Sequence, residues 1–141
     1  MATTATNYAY RDSTVTVNSA DRVAFILKLT YGLVPIVAGA DKFMQLLTDW
    51  KKYLAPIVTD IMPLTPATFM VLVGVIEIVA GIIVLVKPKL GSLIVAGWLV
   101  AIAINLLLTG QYFDIAVRDI VMAIGAVSLW MLTDENTTAK S

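Results

Sequence analysis

The chain has 141 residues, 59% of them hydrophobic and 14% charged, with a mean hydropathy of +0.86; a soluble domain is about half apolar and a quarter charged, so lipid is the expected solvent. Ten basic and ten acidic residues cancel, which leaves no electrostatic footprint for nucleic acid. Cysteine and histidine are both absent, which excludes disulfides, thiolate chemistry, Cys/His zinc or iron–sulfur sites, imidazole haem ligands and histidine general bases.

Residues 1–19 form a polar N-terminal tail rich in Thr, Ala, Ser and Asn. It has neither a basic start nor an apolar core and so lacks the marks of a cleaved signal peptide; the first spanning helix is expected to serve as the insertion signal. Ser13 to Val17 alternates polar and β-branched residues, a short strand pattern suited to a partner's sheet edge; the simpler reading is a mobile tail. Asn18 and Ser19 ahead of Asp21 give a helix cap with an acid in the first turn. The first span is expected over residues 23–40, interrupted by Lys28, which should snorkel to the headgroups, and by Pro35, which should kink it locally.

From 41 to 64 charged residues alternate with Phe43, Leu46, Leu47, Trp50, Tyr53 and Leu54, the mixture of an interfacial segment and not of a span. Helix one is expected to continue to Tyr53, with Pro56 and Pro63 ending regular structure. Thr65-Pro66 is a cap followed by a first-turn proline and opens the second span, 67–86, apolar except for Glu77. Lys87-Pro88-Lys89 links it to the third span, 90–108, in which Asn105 is the one strongly polar side chain. Gly110-Gln111-Tyr112 turns the chain into the fourth span, 113–132, with Asp114, Arg118 and Asp119 near its start. Residues 134–141 form a polar C-terminal tail.

The expected fold is therefore all-α: an integral membrane four-helix bundle over residues 20–133, with an interfacial segment between helices one and two. An even number of spans puts both termini on one side with Arg11, Arg22, Lys87, Lys89 and Lys140, against Lys51 and Lys52 opposite. This basic bias places the termini in the cytoplasm.

The topology gathers Asp41, Lys42, Asn105, Asp114, Arg118 and Asp119 towards the face opposite the termini, with Glu77 about three turns into its helix as the deepest acid. A charge at mid-membrane costs at least about 2.5 kcal/mol, so Glu77 should face the bundle and be protonated or paired. Gly74, Glu77 and Gly81 share a face of small residues that lets another helix approach. Asn105, Tyr31 or another helix are the candidate partners of Glu77; ligand or proton handling is the functional alternative. Asp114 and Arg118 have the spacing of an intrahelical ion pair, with Asp119 turned away for a second partner. Trp50, Tyr53, Tyr112 and Trp130 read as aromatic belts, and Trp98, deeper, as a contact for a partner or a quinone-like ligand. Gly97-xxx-Ala101 is a second small-residue pair that points to a close helix contact.

Three of these signals also resemble a known family. Tyr31-Gly32-Leu33 leading to Ala38-Gly39-Ala40-Asp41-Lys42-Phe43, then Gly74-Val75-Ile76-Glu77 followed by Ala80-Gly81, and Arg118-Asp119 in the fourth span are similar to the DoxX-like family of small four-helix membrane proteins. The family is named for a small subunit of an archaeal thiosulfate:quinone oxidoreductase, and some members accompany redox-protective enzymes. The resemblance covers about residues 29–132. It implies a prokaryotic inner membrane location and a partner-dependent role, because a chain without cysteine needs another protein for any sulfur chemistry.

The leading functional expectation is a non-catalytic integral subunit that anchors or braces a larger membrane assembly, a redox or respiratory complex or a homo-oligomer, with membrane lipids and other subunits as partners. It requires no metal or covalently bound cofactor. The alternative is a small carrier or quinone-handling module in which Glu77 exchanges a proton while Lys42, Asn105 and Arg118 hold an anionic or carbonyl group; quinone or lipid would then be its ligand. An independent enzyme is the weakest reading, since neither a nucleophile–base pair nor a metal set assembles from these residues.

Overall fold

Four helical stretches, Ser19–Met44, Pro66–Val86, Pro88–Leu108 and Phe113–Asp134, are long and apolar enough to cross a membrane, and they pack as a bundle in this computed structural model. The chain runs through helix α1 (Ala2–Met44), a 3-10 turn (Trp50–Tyr53), a short helix α2 (Pro56–Ile61), then α3 (Pro66–Val86), α4 (Pro88–Leu108) and α5 (Phe113–Lys140). The structure describes residues 19–134. The expectations for both tails, including the strand pattern at 13–17, lie outside the described residues. Among the described residues there is no strand, and the all-α membrane bundle is the observed architecture.

The helices associate as two tight pairs, α1 on α3 and α4 on α5, joined where α3 meets α4 and α1 meets α5. Glycines set the first pair. Gly32 and Gly39 lie on α1 and Gly74 and Gly81 on α3, each couple separated by seven residues, and in the antiparallel register Gly39 faces Gly74 while Gly32 faces Gly81. A Cβ on Gly39 would stand 2.5 Å from the Gly74 carbonyl oxygen, and one on Gly74 would stand 2.7 Å from that of Gly39. In lipid, where burying apolar surface between helices gains little, such close backbone approach supplies the van der Waals contact that holds helices together. The expected helix contact through the Gly74 and Gly81 face is thus made by α1.

Alanine does the same work elsewhere. Ala80, Ala96 and Ala126 are buried with Val84, Val95 and Leu129 in one cluster, and Ala103, Leu106 and Ala116 form another between α4 and α5. The larger aliphatic residues, such as Val37, Val79, Ile82, Val86, Val121 and Ile124, point outward and are exposed, which inverts the water-soluble pattern. Tyr31 crosses from α1 to donate its hydroxyl to the Met122 carbonyl at 2.6 Å.

The connections explain where each helix stops. Helix α1 ends at Met44 and does not continue to Tyr53, contrary to the expectation from the sequence. Gln45 takes a left-handed φ of 54°, and the Asp41 carboxylate accepts the next two backbone N–H groups, Leu46 at 2.9 Å and Leu47 at 3.1 Å. Side-chain capture of these groups competes with a further helical turn. Pro56 does not end regular structure but opens α2 at its first position, where a missing N–H costs nothing. Pro35 is carried inside α1 without ending it. Thr65 caps α3 as expected, its hydroxyl accepting from the Thr68 N–H at 3.3 Å. The α3–α4 turn is tight because Gly91 packs directly on the Val84 backbone.

Gly97 has open space where a side chain would go, and Ala101 is exposed, so the small-residue pair on α4 makes no close helix contact within this chain. Overpacking an interior costs about 1–3 kcal/mol. Gly74→Leu is therefore expected to lower the thermal midpoint in detergent sharply, whereas Gly97→Leu leaves it nearly unchanged; circular dichroism melts of the two variants make the comparison.

Candidate functional site

The antiparallel glycine register determines which charges meet. Lys42 lies three residues beyond Gly39 and Glu77 three residues beyond Gly74, so with Gly39 opposite Gly74 their Cα atoms are offset by six residues, about 9 Å along the axis. Each Cα–Cβ bond tilts towards the N-terminus of its own helix. On antiparallel helices those tilts oppose, so Lys42 reaches into the bundle while Glu77 reaches out to meet it. The lysine stem runs across the bare backbone of Gly74, and Lys42 Nζ lies 2.6 Å from Glu77 Oε2.

Both side chains are buried, with 5% and 8% of their surface exposed. The other carboxylate oxygen, Oε1, accepts the indole N–H of Trp98 on α4 at 3.4 Å. Helices α1, α3 and α4 are thereby tied through a single carboxylate. Lys42 also lies 3.8 Å from the centroid of the Trp50 ring, a cation–π contact that adds a second stabilising group to a desolvated ammonium. Trp50 in turn donates its N–H to Asp41 Oδ2 at 2.7 Å. Asp41, 3% exposed, therefore serves the chain that follows α1.

The partners proposed for Glu77 from the sequence, Asn105 and Tyr31, are elsewhere. Asn105 clamps the interfacial segment to α4: its Oδ1 accepts from the Ala55 N–H at 3.0 Å and its Nδ2 donates to the Tyr53 carbonyl at 2.7 Å. Tyr53 meets Tyr112 edge to face, with ring centroids 4.9 Å apart. The helical pair expected between Asp114 and Arg118 does not form. Asp114 is exposed, while Asp119 is buried, and the Arg118 guanidinium reaches Asp119 Oδ1 at 3.4 Å. The buried acid has the greater need of a counter-charge. At the other end of the bundle an exposed ion pair, Lys89 to Asp134 at 2.6 Å, links α4 to α5; surface pairs of this kind contribute little.

Sequence reading placed Lys42 and Glu77 in one polar group without pairing them, and assigned Trp50 to an aromatic belt. The available signal was the shared spacing of Gly39 with Lys42 and Gly74 with Glu77. Among the described residues no buried side-chain nitrogen or oxygen lacks a hydrogen-bond partner, and no set of three or more acids stands close enough to hold a metal ion. The arrangement neutralises charge and ties helices; Glu77 has both oxygens engaged by the protein itself.

Compared with protein-family models, curated proteins and solved structures, the chain shows no match.

Removing one member of a buried ion pair costs about 3–5 kcal/mol, whereas replacing both with apolar groups is often neutral. Lys42→Met and Glu77→Met are each expected to destabilise strongly, and the double variant to recover most of the loss. A double-mutant cycle on thermal midpoints checks this; additive losses would show that the pair is not coupled.

Proposed function

We propose that this chain is a non-catalytic integral membrane subunit, DoxX-like in character, that braces a larger membrane assembly, a redox or respiratory complex or a homo-oligomer. The assembly sits in a prokaryotic inner membrane with the chain's termini in the cytoplasm. The observation that carries this reading is the engagement of Glu77: one oxygen on Lys42 at 2.6 Å, the other on the Trp98 indole, with the residue 6% exposed. A carboxylate so enclosed serves helix assembly. Asp41 and Asn105 are likewise occupied in holding the segment between α1 and α3. The outward aliphatic faces of α1, α3, α4 and α5 are the surfaces offered to lipid and to other subunits.

A second reading is favoured by one detail. The Trp98 indole makes the longer of the two hydrogen bonds to Glu77, 3.4 Å, and Trp98 is only half-buried beside the open space at Gly97. Trp98 thus links Glu77 to the margin of the bundle, and a carbonyl-bearing lipophile such as a quinone, or a lipid, could exchange with the indole for that oxygen. In this reading Glu77 is the proton-exchanging group of a small carrier or quinone-handling module.

Extraction in a mild detergent followed by native mass measurement separates the readings. The subunit role is expected to give a stoichiometric complex with another membrane protein or with copies of the chain. An isolated monomer whose substrate flux or quinone turnover is abolished by Glu77→Gln would overturn it in favour of the second.

A further inference from the structure

Residues 45–55 fold over the end of the bundle as a strap tied at both ends. Asp41 holds its beginning through the N–H groups of Leu46 and Leu47 and the Trp50 indole. Asn105 holds its far end through Ala55 and Tyr53. Between the ties, Trp50 lies with its ring 3.8 Å from Lys42 Nζ.

The position of Lys42 gives this strap its meaning. A lysine two residues from the end of a membrane helix ordinarily snorkels to water along its flexible stem. Lys42 does the opposite: α1 ends at Met44, yet Lys42 is 6% exposed and points inward to Glu77. Water that it would have met is replaced on one side by the carboxylate and on the other by the face of Trp50. Leu46 and Leu47, whose backbones Asp41 binds, are 78% and 70% exposed, so the start of the strap is fastened inside by a polar group while these two leucines face out.

We infer that residues 45–55 are a plug that seals the Lys42–Glu77 pair from the aqueous phase, with Trp50 as its stopper and Asp41 as its latch. The indole does two jobs at once. Its ring gives the ammonium a favourable face without water, and its N–H, bound to Asp41, fixes the ring in that place. This role is independent of the subunit reading, because it concerns what keeps water from the pair and not what the pair serves.

The test uses the full chain in lipid nanodiscs and a membrane-impermeant amine-acetylating reagent, with the acetylation rate at each lysine read by mass spectrometry. Lys51, exposed on the same strap, is the internal standard for a lysine in water. Wild-type Lys42 is expected to react at least about ten-fold more slowly than Lys51, as a group reachable only by local opening. Trp50→Ala should bring the two rates to within about three-fold, while Trp50→Phe, which keeps a ring for the ammonium but loses the bond to Asp41, should fall between Trp50→Ala and the wild type. Equal rates at Lys42 and Lys51 in the wild type, or undiminished protection in Trp50→Ala, would overturn the plug. Should Trp50→Ala lose its helical circular dichroism, Asn105→Ala, which frees the other end of the strap, takes its place: faster reaction at Lys42 supports the plug and an unchanged rate overturns it.

Discussion

Inside a bundle of apolar helices an ammonium and a carboxylate are tolerated only in each other's company, and Lys42 with Glu77 is the contact to which the rest of this molecule is fitted. Neither charge can turn to lipid without a cost of at least about 2.5 kcal/mol. The pair forms only if α1 and α3 lie close, antiparallel and in one register. The facing glycines provide all three conditions, since any side chain at Gly39 or Gly74 would collide with the opposite backbone. Charge and close packing are therefore one device: the glycines admit the pair, and the pair selects the register in which the glycines meet.

The remaining helices are recruited by the unused valences of that pair. The second oxygen of Glu77 takes the indole of Trp98 on α4, and the free face of the Lys42 ammonium takes the ring of Trp50. Helix α5 joins through its dense alanine contacts with α4 and through the Tyr31 hydroxyl on the Met122 carbonyl. Polar bonds and small residues together replace the hydrophobic drive that a soluble bundle would use. Large aliphatic side chains are left on the outside, where acyl chains suit them.

These demands also shape the functional reading. Residues that read from the sequence as one polar cluster, structural or ligand-binding, are distributed between two structural tasks, charge neutralisation at Lys42, Glu77, Arg118 and Asp119 and fastening of the strap at Asp41 and Asn105. The anchoring role proposed for the chain rests on groups so engaged. Trp98 departs from this closure, half-buried and weakly bonded at the margin between Glu77 and the outside.

The amino-acid sequence by itself determined the solvent, the four spans, the caps at Thr65 and Pro66 and the inward orientation of Glu77, because each follows from local composition and from the cost of charge in lipid. The glycine face at Gly74 and Gly81 was legible for the same reason: helical periodicity puts those residues on one stripe whatever they touch. Only the tertiary structure decided the partners. Asp119 rather than Asp114 takes Arg118, Lys42 rather than Asn105 takes Glu77, and Trp50 covers a lysine in place of floating in an aromatic belt. Residues far apart in the chain meet according to the register between helices, and that register is a sum of backbone contacts across α1 and α3 that no single segment carries. The end of α1 at Met44 belongs to the same class, since Asp41 could continue the helix or capture Leu46 and Leu47, and the strap it anchors across the bundle favours the second.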